Sequence, residues 1–134
     1  MTYLLDTSAL LAHYRQEAGW EAVHQLFENT DASLIIASVT VAEFARRMVE
    51  LGASESEIST ALQNYRLIFS EVVSIDDAIA WEAFEIGRKT PGRLPLADAL
   101  IAAAASSRDA TLVHRDKHMS QIPGKLVKTR DLAK

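Results

Sequence analysis

The sequence predicts an α/β fold in which helices cover both faces of a parallel sheet. Three observations predict it. Short apolar runs alternate with longer helical segments along the whole chain. The runs are apolar from end to end, as strands buried on both faces require. The chain has 134 residues and no cysteine. That length fits one domain, residues 1–134, burying roughly two-thirds of the surface its unfolded chain exposes, so a core forms without disulfide staples.

In chain order, Tyr3-Leu4-Leu5 reads as the first strand. Ser8 to about Arg15 and Glu17 to Asn29 read as helices. Leu34 to Ala37 is the second strand. Thr40 to Leu51 is helical and stops before Gly52, a residue suited to the position after a helix. Ser54 with Glu57 three residues on gives a capping box, opening a helix to about Phe69. Val72 to Ile75 is the third strand and Asp76 to about Lys89 a helix. Residues 90–95, with Pro91, Gly92 and Pro95, break the pattern as a loop. Leu96 to Arg108 is helical, Thr111 to Val113 is a strand, and Leu126 to Lys128 is assigned as the last strand.

The totals exclude several classes. Without cysteine there is neither a disulfide framework nor a thiolate metal site. No basic segment followed by an apolar one opens the chain, so no secretory signal is expected. No apolar run approaches the ~18 residues of a membrane span. The expected setting is the cytoplasm, without membrane association. The balance is acidic, 14 basic against 18 acidic residues, which counts against nucleic-acid binding. Four of those acids stand apart as a candidate site, and without them the two signs are equal.

Ligands of parallel α/β sheets bind beyond the carboxyl ends of the strands. Asp6 follows the first strand and Asp116 follows the Thr111–Val113 strand, so both emerge at one sheet edge. Asp6 is also favoured as an N-cap. The two roles are compatible, since one carboxylate oxygen caps while the other stays free. Asp98 is the only charge between Leu94 and Ala105. A helix apolar nearly all round is buried, and a buried Asp is paired or bound to metal; the bland alternative is a first-turn Asp facing the helix dipole. Glu43 falls opposite Val41, Phe44, Ala45 and Met48 on a helical wheel, which points to a solvated pair with Arg47 at i,i+4. Asp116 also has a plain reading as a turn residue. Among the histidines, His13, His24, His114 and His118 show no metal-ligand spacing and read as surface or core. Trp20 and Trp81 lie on helical segments and are expected in the core.

Four segments tie the acids together: Leu5-Asp6-Thr7-Ser8-Ala9-Leu10, Val39-Thr40-Val41-Ala42-Glu43-Phe44, Leu96-Ala97-Asp98-Ala99-Leu100-Ile101-Ala102, and Leu112-Val113-His114-Arg115-Asp116. In this order and spacing the chain resembles the PIN-domain ribonucleases, and within them the VapC-type toxins of bacterial toxin–antitoxin pairs. The resemblance spans essentially the whole chain. It implies a three-layer PIN-like fold, a central parallel sheet flanked by helices. It also implies that Asp6, Glu43, Asp98 and Asp116 gather to hold Mg²⁺ or Mn²⁺ and hydrolyse RNA, leaving a 5′-phosphate and a 3′-hydroxyl. Thr7 stands where the family often has a supporting hydroxyl. His114 departs from the pattern, replacing a Thr or Ser two residues before the last acid; it contacts substrate or simply fills the space. The family further implies a VapB-like antitoxin as partner, a homodimer, and transfer RNA as the favoured substrate.

Carboxylate oxygens are hard ligands suited to Mg²⁺ and Mn²⁺. Clustering them is costly, since two unit charges ~4 Å apart repel by about 4 kcal/mol at an effective dielectric of 20. At least one carboxyl should therefore titrate high in the metal-free protein. RNA approaching such a pocket requires basic residues around it. The candidates are Arg46, Arg47, Arg93 and Arg115, with Arg15, Arg88, Lys89 and Lys117 nearby.

Two rivals remain. An aspartyl phosphatase of the haloacid-dehalogenase type needs Asp-x-Asp after the first strand, and Ser8 occupies its second position. A non-catalytic PIN-like module that docks RNA or a protein partner is the alternative within the same fold.

Overall fold

The computed structural model describes residues 1–134. The elements are β1 (Thr2–Leu5), α1 (Thr7–Arg15), α2 (Trp20–Glu28), β2 (Ser33–Ala37), α3 (Ser38–Glu50), α4 (Glu55–Arg66), β3 (Glu71–Val73), α5 (Asp77–Lys89), α6 (Leu96–Ser107), β4 (Thr111–His114) and β5 (Thr129–Asp131). The five strands form one sheet in the order β3-β2-β1-β4-β5, and every neighbouring pair is parallel. This is the α/β sheet that the alternation of apolar runs and helical segments predicted.

Side chains alternate across a strand with period two, and the core divides accordingly. Leu4, Ile35, Ala37 and Leu112 pack with Ile79, Ala83 and Ile86 of α5 and with the alanine-rich α6. Leu5, Leu34, Ile36 and Val113 pack on the other side with residues of α1 to α4, among them Leu10, Val23, Phe44 and Tyr65. The result is three layers. The strand order then fixes where a ligand crevice opens. From β1 the sheet grows through β2 to β3 on one side and through β4 to β5 on the other. Connections diverge above the carboxyl ends of β1 and β4, the switch point at which open α/β sheets bind ligands.

Several boundaries differ from expectation, each for a local reason. The last strand is Thr129–Asp131, three residues later than the apolar run at Leu126–Lys128. The Pro123 carbonyl accepts hydrogen bonds from the Leu126 and Val127 amides at 2.9 and 3.3 Å, holding those residues in a turn. Their apolarity serves packing, with Val127 buried in the core, while the edge strand itself is polar. Helix α2 begins at Trp20 rather than Glu17, because Gly19 adopts a left-handed φ of 95°. A Cβ there would come within 2.9 Å of Leu132 Cβ. Strand β3 ends at Val73, and Ile75 instead donates its amide to Ser38 Oγ. The Ser54–Glu57 capping box forms in both directions. Trp81 is 65% exposed, against expectation. Helix α5 turns Ile79, Ala83 and Ile86 inward, which leaves Trp81 outside beside Phe84, ring centroids 5.2 Å apart. No helix is long and apolar enough to cross a membrane.

Candidate metal centre

Asp6 leaves the end of β1 and caps α1. Its backbone amide donates to the Val113 carbonyl at 3.0 Å, extending the β1–β4 ladder by one step. One carboxylate oxygen, Oδ1, accepts the Ala9 amide at 2.8 Å. The Ser8 hydroxyl lies 2.7 and 2.9 Å from the two carboxylate oxygens and donates to them. Ser8 Oγ also accepts the Arg115 amide at 2.9 Å. One hydroxyl thus fixes Asp6 and ties the end of β1 to the segment after β4. From the sequence Ser8 stood as the start of a helix, a member of the first segment and the residue that breaks an Asp-x-Asp pair, without a role at the site. Asp6 is 2% exposed, and burial pushes its carboxyl up to about 7, against the hydrogen bonds from Ser8 and Ala9. The charges of Asp98 and Asp116 raise it further.

Asp98 lies in the first turn of α6, which has no side-chain cap. The helix N-terminus is the favourable end for a carboxylate. Asp98 is half-buried rather than enclosed, because this first turn of the apolar helix opens toward the crevice. Burial is still the largest cause pushing it up to about 7, followed by Asp116 and then Glu43. Asp116 follows β4. Ligand atoms of Asp98, Asp116 and His118 all lie within 4.8 Å of one another. Three residues from two separate segments therefore form the tightest donor group. Asp6 adjoins it closely enough to feel the charge of both acids, and Glu43 acts on Asp98.

Glu43 is not paired with Arg47, as its helical face had suggested. Arg47 binds Glu50 at 2.9 Å. Glu43 Oε1 accepts a 2.6 Å hydrogen bond from Thr7 Oγ1, which also lies 3.2 Å from Thr40 Oγ1. The wheel places a residue relative to its own helix only. Here the polar side of α3 meets the start of α1, so a position opposite the core stripe still faces protein.

His114 is 0% exposed and therefore fills space rather than reaching substrate. Its Nδ1 accepts the Asp116 amide at 3.2 Å, which fixes the turn that presents Asp116. Burial lowers its pKa, so the ring is neutral and its remaining proton sits on Nε2. That nitrogen is buried without a partner. His118 corrects a second expectation. It lies in the donor group, with its amide 2.9 Å and its Nδ1 3.1 Å from Asp116 Oδ1. Its signal in the sequence is a place two residues after an acid, in a turn where both point to one side.

The basic candidates separate into groups. Arg46 and Arg47 line a cleft of about 310 Å³ with Thr7, Leu11, Glu43 and Glu50. Arg115 and Lys117 line a second, of about 650 Å³, with Ser8, Asp116, Ser120 and Lys134. Glu43 lines the first of these clefts and Asp116 the second. Arg115 also reaches Glu17 at 3.4 Å. Arg93 lies in neither cleft; its carbonyl accepts from Gln121 Nε2, beside the turn that carries His118. Arg15 pairs with the same Glu17, and Arg88 and Lys89 pair with Glu85.

The model of the PIN domain matches residues 3–125, nearly the whole chain and all four acids. The chain belongs to the PIN domain family. Among solved structures, its fold is similar to VapBC2 of Rickettsia felis bound to a DNA fragment from its promoter (TM-score 0.73, 20% identity, 98% of this chain and 100% of that one). It is also similar to DNA-bound VapBC of Salmonella typhimurium (0.71, 21%, 98% of each chain). A third is VapBC-5 of Mycobacterium tuberculosis (0.65, 22%, 97% and 98%). At these identities the likeness is one of fold. No curated protein sequence matches the chain.

A divalent cation fits this PIN domain's donor set. Carboxylates that titrate near 7 only because of burial and mutual repulsion lose that penalty when a cation neutralises them. Oxygen donors at the mouth of a crevice suit a hard ion that keeps some of its water. Asp98 and Asp116 with His118 are the group able to hold it, with Asp6 and Glu43 alongside.

Proposed function

We propose that this PIN domain is a divalent-metal-dependent endoribonuclease and the toxin of a VapBC-type pair. One observation carries the reading. Asp6, Asp98 and Asp116, from three separate segments, meet above the carboxyl ends of β1 and β4, and two of their carboxyls are pushed up to about 7. No ion pair within the fold compensates Asp6 or Asp98, so the arrangement serves a bound cation rather than stability. In this reading Asp6, Asp98 and Asp116 are the catalytic metal-holding residues. Glu43 joins them through Thr7, and the ion is Mg²⁺ or Mn²⁺.

When bound, the ion supplies charge for the scissile phosphate and acidifies its water for in-line attack. The chain's own residues do the positioning. Ser8 and the Ala9 amide hold the Asp6 carboxylate, Thr7 holds Glu43, and the His114 ring holds the Asp116 turn. Arg46 and Arg47 beside Glu43, and Arg115 beside Asp116, contact the RNA backbone, with Arg93 outside the two clefts. A VapB-like antitoxin is the proposed partner, supported by the VapBC folds that the chain resembles. A homodimer and a transfer RNA substrate are proposed from the family alone.

The test is cleavage of RNA by the purified protein with Mn²⁺, Mg²⁺ or chelator, with Asp98→Asn as control. The expected result is metal-dependent cleavage leaving 5′-phosphates and lost in the variant. RNA binding without cleavage in any metal would establish the non-catalytic module instead.

A further inference from the structure

We propose that His118 supplies a ring nitrogen to the cation held by Asp98 and Asp116, so that the centre prefers Mn²⁺ to Mg²⁺. The inference rests on the metal-site reading above and goes beyond its four acids.

The argument is geometric. Around an ion with bonds of 2.0–2.1 Å in octahedral array, neighbouring donors stand roughly 3 Å apart and opposite donors roughly 4.2 Å. His118 Nδ1 stands 3.1 Å from Asp116 Oδ1, the spacing of a neighbouring pair. The three residues' donor atoms fall within 4.8 Å of one another, so one ion reaches all three with little movement. Asp98, the third member, receives no hydrogen bond from any N–H or hydroxyl donor in the fold. The turn holding His118 is itself anchored, since the Met119 amide donates to the Asp116 carbonyl at 3.1 Å and Met119 is fully buried. The imidazole is therefore held beside the acids by the backbone rather than by the side-chain contact alone. For that nitrogen to bind an ion it must offer its lone pair, so a ring proton can lie only on the other nitrogen.

The consequence is selectivity. Mg²⁺ demands oxygen donors and gives up its water reluctantly, whereas imidazole suits transition ions. A site in which a ring nitrogen joins the carboxylates discriminates between ions that a purely carboxylate site accepts more evenly. The competing account is that His118 only donates to Asp116 and orients it. His118→Asn separates the two, because the amide can keep a hydrogen bond but does not supply a ring nitrogen.

The experiment is electron spin-echo spectroscopy of Mn²⁺ bound to the wild-type protein and to His118→Asn, with Mn²⁺ and Mg²⁺ affinities by calorimetry. The expected result is ¹⁴N modulation from a coordinated imidazole in the wild type, lost in the variant. Mn²⁺ affinity should fall about tenfold or more and Mg²⁺ affinity should change far less. Mn²⁺ bound to the wild type without nitrogen modulation overturns this inference and leaves the metal-site reading standing. No Mn²⁺ binding to the wild type at all overturns both.

Discussion

Thr7 Oγ1 lies 2.6 Å from Glu43 Oε1, a bond between the first residue of α1 and the middle of α3. It aims Glu43 toward the acids instead of toward Arg47. Replacing Thr7 by Val should weaken Mn²⁺ binding about tenfold, as losses of the groups that orient metal-site residues do. Thr7→Ser should retain most of it. Calorimetry on both variants checks this, and equal binding by Thr7→Val and wild type would remove Glu43 from the site.

The raised carboxyls of Asp6 and Asp98 set a pH dependence. Between the ordinary value of 3.8 and about 7 the folded protein holds protons that the unfolded chain has released. Stability from these groups therefore falls as pH rises through that window and levels off above it. Because the acids interact, they titrate as a group rather than singly. The metal-free Asp98→Asn variant should show a shallower decline in melting temperature between pH 5 and pH 7.5 (values chosen to lie roughly inside and above the window).

His13 works in the opposite sense. Its Nδ1 lies 2.8 Å from Tyr65 Oη and its Nε2 3.1 Å from His24 Nδ1, and His24 reaches Glu28 at 3.2 Å. Burial first, then the charge of His24, lowers its pKa below 6.5. The unfolded chain binds the extra proton in that window, so stability falls as pH drops below about 6.5. Below about 6.5 this contribution opposes that of the two carboxyls, so His13→Gln should make the decline in melting temperature between about pH 5 and pH 6.5 steeper.

Metal should stabilise the fold. An ion that binds only the folded state at 100 times its Kd contributes about 2.7 kcal/mol. Scanning calorimetry with millimolar Mn²⁺ should show a higher melting temperature in the wild type and none of that gain in Asp98→Asn. An unchanged wild-type value would count heavily against a preformed site.

Arg93 forms no ion pair and lies beside the Gln121 side chain rather than among the acids. Arg93→Ala should weaken RNA binding and reduce its salt dependence by the share of about one phosphate contact, with Mn²⁺ affinity unchanged. Parallel loss of metal affinity would show that the substitution disturbs the turn at 116–121 instead.

The sequence by itself determined the alternation of strands and helices, because apolar runs and caps are local signals. It also marked Asp98, the lone charge in an apolar helix, and put Asp6 and Asp116 at one sheet edge. It misplaced β5, because the apolarity of Leu126 and Val127 reported burial and not ladder pairing. Only the tertiary structure decided the rest. Glu43 faces the crevice because α3 packs its polar side against α1, a relation that no helical wheel contains. Ser8, which braces Asp6, also meets the Arg115 amide because the ends of β1 and β4 are neighbours, which joins residues more than a hundred positions apart. His118 enters the donor group through the same closure of the chain. The side chains were legible one at a time, but their convergence depends on strand order, and strand order is set by packing across the whole sheet.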